Sequence, residues 1–155
     1  MIIPFSFTLG RQSLHMRSVY TFLSVFFFFT AAAQDKDEKE IRDLLSQQTR
    51  DWNKGNIDAF MSGYWKNDSL MFIGQNGLTY GYQQTNNNYK RNYSDTAKMG
   101  QLTFDILHTK RLSQEFYFIV GKFFLKRTVG DLSGHFTLLF RKVNGSWVII
   151  ADHSS

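Results

Sequence analysis

The stretch Gly134-His135-Phe136-Thr137-Leu138-Leu139-Phe140-Arg141-Lys142-Val143-Asn144-Gly145-Ser146-Trp147-Val148-Ile149-Ile150-Ala151-Asp152-His153-Ser154-Ser155 decides the fold. Asn144-Gly145 suits a two-residue hairpin turn, whose central residues both carry positive φ. Phe136, Leu138 and Phe140 alternate along one side of a strand predicted over 135–143. A partner strand follows over 147–154. On it, Asp152 shares parity with Val148 and Ile150, and His153 with Trp147, Ile149 and Ala151.

Upstream, Asp131-Leu132-Ser133-Gly134 reads as a turn after a strand over 116–128, with Gly121 as the expected bulge. Before that, Phe104, Ile106 and His108 alternate with Thr103, Asp105 and Leu107 in a strand over 102–112. The second half is thus a meander of long antiparallel strands. The first half is helical. Ile41, Leu44, Leu45, Gln48 and Trp52 recur at helical spacing over 35–54, with Gly55 as the stop. Asn56 caps a short helix over 57–63, and a small hairpin turns at Gln75-Asn76-Gly77. Gly81 opens a third helix over 82–93, with Tyr82, Asn86, Tyr89 and Tyr93 on one face. Helices segregated from a run of strands predict an α+β fold.

The length of 155 residues fits one domain, and 43% hydrophobic with 20% charged residues supports a packed core. Cysteine is absent. That excludes disulfides, zinc–thiolate and iron–sulfur centres, a thiol nucleophile and a lipidated cysteine anchor. No phosphate-binding glycine loop, nucleophile elbow or dinucleotide fingerprint occurs. His108, His135 and His153 lack ligand-spaced neighbours, so neither metal nor cofactor is expected. Asn67-Asp68-Ser69, Asn92-Tyr93-Ser94 and Asn144-Gly145-Ser146 match glycosylation acceptors, but each lies where a turn or helix end wants those residues.

The first 33 residues hold seven of the 16 Phe and no acid. Arg17, an apolar run over 19–29 and Ala31-Ala32-Ala33 form the three-part pattern of a secretory signal peptide. The expected division is an N-terminal extension and signal peptide over 1–33, cleaved near Ala33, and a domain over 34–155. The run is shorter than the ~20 residues that span a bilayer, so the membrane is met only before cleavage. Met16 is a better start for such a signal than Met1. The predicted destination is the periplasm or the medium. Losing Arg11 and Arg17 takes 18 basic residues to 16 against 13 acidic, a net charge of +3 in place of +5. That balance gives no case for nucleic acid.

Asp51-Trp52-Asn53-Lys54-Gly55-Asn56-Ile57, Tyr64-Trp65, Gly81, Tyr89-Lys90-Arg91-Asn92-Tyr93 and the terminal hairpin occur in an order that resembles the SnoaL-like proteins of the nuclear transport factor 2-like superfamily. The resemblance covers Glu38 to Ser155. It implies a cone: three helices packed on a strongly curved, mostly antiparallel sheet, with a pocket between them and a homodimer through the sheet face. It is specific for fold and not for activity.

Within that frame Trp52, Tyr64, Trp65, Phe72, Tyr89, Tyr93, Phe104, Phe136, Leu138 and Trp147 are the expected ligand-binding walls. The plainer alternative is that these rings only fill the core. Asp152 and His153 are the catalytic candidates, and strand parity allows only one of them inward. Relatives that act as enzymes imply Asp152 or Asp105 as base, with Tyr93 or Tyr89 donating to an enolate oxygen. The kinase association domains of the superfamily carry Arg where this chain has Leu138. Only Arg91 and Arg111 stand near enough in the pattern to replace it. Three readings follow: an exported binder of a small apolar or aromatic molecule, an acid–base isomerase, cyclase or dehydratase, and a protein-interaction module.

Overall fold

The computed structural model describes residues 36–155. The expected extension, signal peptide and Ala33 cleavage site lie outside them. Helix α1 runs over 36–53, and α2 (Ile57–Met61) follows a single turn. Gly55 takes φ 77° to end α1, and the Asn56 side chain accepts the Ala59 N–H at 3.0 Å to begin α2. The small hairpin is β1 (Met71–Gly74) and β2 (Gly77–Tyr80). Helix α3 (Tyr82–Asn92) is followed by a one-turn helix, α4 (Thr96–Met99). The long strands are β3 (Gln101–Arg111), β4 (Phe116–Lys126), β5 (Leu132–Val143) and β6 (Ser146–Ser154).

These strands make one sheet in the order β2-β1-β6-β5-β4-β3. Every neighbouring pair is antiparallel except β1 and β6, which run parallel with Phe72 opposite Asp152. The parallel pairing sets the small hairpin beside the end of the chain. The α+β class and the mostly antiparallel sheet are as the sequence predicts. Differences are local. The helix α4 is additional to the three expected, and four residues are too few to show a period. Strand β5 begins three residues early, because Leu132 pairs with Leu125 and the turn falls at 127–131. At the last turn Asn144 and Gly145 take φ 50° and 82°, as the hairpin requires.

Two bulges bend the sheet. Neither is at Gly121. In β3 the extra residue is Leu107, between the pairs Ile106–Gly121 and His108–Val120. In β6 it is Ile150, between the pairs Leu139–Ala151 and Phe140–Ile149. Gly121 serves another purpose: a Cβ there would meet the Phe136 ring and stand 2.9 Å from the Asp105 carbonyl. Its absence lets the Phe136 ring approach the backbone at Gly121.

The core forms where the inner faces of α1 and α2 meet the sheet. Ile41 and Leu45 of α1 and Phe60 and Met61 of α2 pack with Ile119, Phe140 and Ile149 of the strands. Each such side chain contributes about 1.5–3 kcal/mol on burial.

Candidate functional site

The Ile150 bulge decides which of Asp152 and His153 turns inward. Simple alternation puts Asp152 with Val148 and Ile150; the extra residue reverses the parity beyond it. Trp147, Ile149 and Asp152 are therefore buried, while His153 is exposed. The same effect in β3 turns His108 outward and Thr109 and Arg111 inward. Asp105 is exposed.

Asp152 is 4% exposed. Its two oxygens each accept one hydroxyl: Tyr64 donates to Oδ2 at 2.6 Å and Ser154 to Oδ1 at 2.8 Å. Tyr64 reaches it because the segment after α2 docks on β6. Ile149 N–H bonds the Gly63 carbonyl at 2.9 Å, and Trp65 N–H bonds the Ile149 carbonyl at 2.9 Å. Tyr89 of α3 continues the chain, its hydroxyl in hydrogen-bond interaction with that of Tyr64. Burial pushes the Asp152 carboxyl up to about 6, against the pull of the Tyr64 and Ser154 hydrogen bonds and the charge of His153. Burial first, and then the Asp152 charge, hold both phenols well above their ordinary value, so Tyr64 and Tyr89 remain proton donors.

Asp152 opens onto a cavity of about 230 Å³. Of the expected walls, Trp52, Tyr64 and Phe72 line it, as do Tyr89 and Tyr93. From the strands, Phe104, Phe136 and Leu138 line it too. The rings hold one another in place. Trp52 meets Tyr93 edge-on at 4.8 Å, Phe72 meets Tyr89 at 5.5 Å, and Phe104 meets Phe136 at 5.1 Å between centroids. The Trp52 indole N–H also donates to the Met99 carbonyl at the end of α4, at 3.1 Å. Gln75, Asn76, Asn88 and Asn92 supply an uncharged amide rim.

Two expected walls do not line the cavity. Trp65 is half-buried and serves through its backbone on β6. Trp147 shares a face with Asp152 but lies five residues away, roughly 16 Å along a strand. It packs edge-on against Tyr117 and donates to Asp37 at 3.2 Å. Asp37 is buried as well, bound by Lys142 at 2.7 Å and Arg111 at 3.4 Å. Burial works to raise its pKa, but Lys142, Trp147 and Arg111 together hold it below the ordinary carboxylate range. Arg111 is thus committed away from the cavity, and Arg91 is exposed and donates to Asn88 at 2.8 Å. Among the described residues, no basic side chain lines the cavity.

Pattern reading overlooked Phe60, Leu102, Phe123, Leu125 and Leu132, which also line the cavity. Phe60 stands on the short helix α2, and the alternation of the strand residues marks a face without marking a hollow. Pattern reading also overlooked Tyr64 and Ser154 as the hydroxyls that bond Asp152. A sequence separation of 88 between Tyr64 and Asp152 leaves no local signal of their contact. Among the described residues, no group of three His, Asp or Glu stands close enough to hold a metal ion, and no helix is long and apolar enough to cross a membrane.

The model of the SnoaL-like domain matches residues 41–155. An NTF-2 like protein of unknown function from Shewanella oneidensis MR-1 is similar at 41% identity, over 77% of this chain and 98% of that one, with a TM-score of 0.74. A hexachlorocyclohexane dehydrochlorinase (LinA) type 2 shares the fold at 14% identity, over 81% and 88% of the two chains, with a TM-score of 0.65. A putative calcium/calmodulin-dependent protein kinase II association domain from Xanthomonas campestris does so at 18% identity, over 75% and 84%, with a TM-score of 0.59. None of the curated proteins matches the chain.

Proposed function

This chain belongs to the SnoaL-like family, with the nuclear transport factor 2-like fold, and from that premise we propose that it binds a small, largely apolar or aromatic molecule in the cavity above Asp152. The observation that carries the reading is a ring-walled hollow of about 230 Å³ with a single buried carboxylate and its phenol donor on the wall. An apolar cavity of about 150 Å³ accepts benzene, so this one suits a single ring with a short substituent. Native mass spectrometry of protein purified from its own source tests the reading, followed by thermal shift against small aromatic compounds. A retained molecule or a rise in melting temperature is expected; no shift with any compound class refutes it.

A second reading, acid–base isomerase, cyclase or dehydratase, is favoured by one feature. A carboxyl raised to about 6 beside a phenol held protonated is a base matched to neutral pH with a donor at hand. In this reading Asp152 is the base, Asp105 being exposed, and Tyr64, bonded to Asp152, stands beside Tyr89 and Tyr93 as a donor. Exchange of α-protons of 2-indanone in deuterated buffer, lost in Asp152→Asn, is the expected signature of turnover.

Export and homodimerisation belong to the same proposal. Phe118 and Val120 of β4, Leu139 of β5 and Val148 of β6 are half-buried on the sheet face opposite the core, which suits a second copy. Light scattering at twice the mature monomer mass is expected.

A further inference from the structure

We propose that the natural ligand of the cavity is a cation: a small aryl or alkyl ammonium whose nitrogen sits at Asp152 and whose apolar body lies among the rings. The inference rests on the binding reading above and sharpens its ligand class.

A buried carboxylate is normally paired with a positive charge, because burial removes the water that would stabilise it. Asp152 lacks such a pairing among the described residues. Both groups donating to it, Tyr64 and Ser154, are neutral hydroxyls. The residues opposite it in the sheet are Phe72 on β1 and Leu138 on β5. From α3 the nearest titratable group is the Tyr89 phenol. On β6 the adjacent His153 acts on it only through space, with its own side chain exposed. The basic residues that reach buried acid elsewhere are spent: Lys142 and Arg111 hold Asp37.

The surroundings discriminate among ligands. An anion would meet a carboxylate with no basic side chain in the lining. A neutral ligand leaves the carboxylate uncompensated. A cation supplies the missing charge, and aromatic walls are the apolar surface that tolerates a cation best, since ring faces are electron-rich. Trp52, Phe60, Phe72 and Tyr89 present such surface in the same hollow. The rim amides are uncharged and oppose no cation on entry.

The test uses the full chain as purified and three probes of one size: benzyltrimethylammonium, its neutral isostere neopentylbenzene, and phenylacetate. Affinities are read by ligand-observed NMR at pH 8, where Asp152 is ionised. The expected result is that the ammonium binds about tenfold or more tighter than neopentylbenzene, with phenylacetate weakest. In Asp152→Asn, shown folded by circular dichroism, the ammonium loses that advantage over neopentylbenzene. Tyr64→Phe, which keeps the carboxylate, retains the preference. Equal binding of ammonium and isostere, or a preference that survives Asp152→Asn, overturns the charge claim and leaves the cavity reading standing. Failure of all three probes to bind overturns both.

Discussion

At one end of β6, Trp147 and the neighbouring Lys142 and Arg111 close around the carboxylate of Asp37. At the other end, Asp152 is as deeply buried but receives only two hydroxyls. The first carboxylate is held below the ordinary range by its cations, and the second is raised to about 6 by burial. The difference separates two uses of a buried acid. Asp37 ties the start of α1 to the β5–β6 hairpin and to β3, so its charge is consumed within the fold. The charge of Asp152 remains available to something in the cavity.

The strongest way to break this contrast is to remove each acid in turn. Asp37→Ala leaves two partly buried cations and the Trp147 N–H without their acceptor, and is expected to cost about 3 kcal/mol in denaturant unfolding at pH 7. The folded pKa of Asp37 is depressed, so its contribution is present above the unfolded carboxylate value and is lost as pH falls through the folded one. The penalty of the mutation should therefore shrink in acid. A cost below about 0.5 kcal/mol would place Asp37 among ordinary surface acids.

Asp152→Asn should act in the opposite direction. The folded pKa is raised, so the wild type is favoured by this group below the unfolded value near 4 and loses that advantage as pH climbs through about 6. The variant should consequently be more stable than the wild type at pH 8, by about 2 kcal/mol, with the gain gone by about pH 4. Melting curves across that range read the crossover. A variant that is less stable at pH 8 would mean that the carboxylate has a counter-charge after all.

Smaller effects sharpen the picture. Tyr64→Phe removes a buried donor to Asp152 and should cost about 1–2 kcal/mol while lifting the carboxyl further above 6. His153→Ala should lie within about 0.5 kcal/mol of wild type and leave probe binding unchanged, because the side chain faces solvent. A loss of binding there would restore His153 to the cavity.

Much of the fold was legible because it rests on local rules: the Asn144-Gly145 turn, the helical spacing of Ile41, Leu45 and Trp52, and the alternation in β4 and β5. The site was legible only where those rules held. One extra residue, Ile150, reversed the parity of Asp152, and nothing in Val148-Ile149-Ile150-Ala151 announces a bulge. For Trp147, parity gives a face and not a position along it, and its place by Asp37 puts it outside the cavity. Nothing local sets Asp37 apart from other acids, since its partners Arg111 and Lys142 are distant in sequence. The rings of Trp52, Phe72, Tyr89 and Phe136 were found because large apolar groups turn inward wherever they stand, and the hollow between them is a property of the assembled sheet.

The most direct measurement is a carbon-13 NMR titration of the aspartate side-chain carboxyls in the ligand-free protein. The account predicts that Asp152 titrates near pH 6 while Asp37 titrates below the ordinary carboxylate range. An Asp152 midpoint at or below that of an exposed aspartate would contradict it.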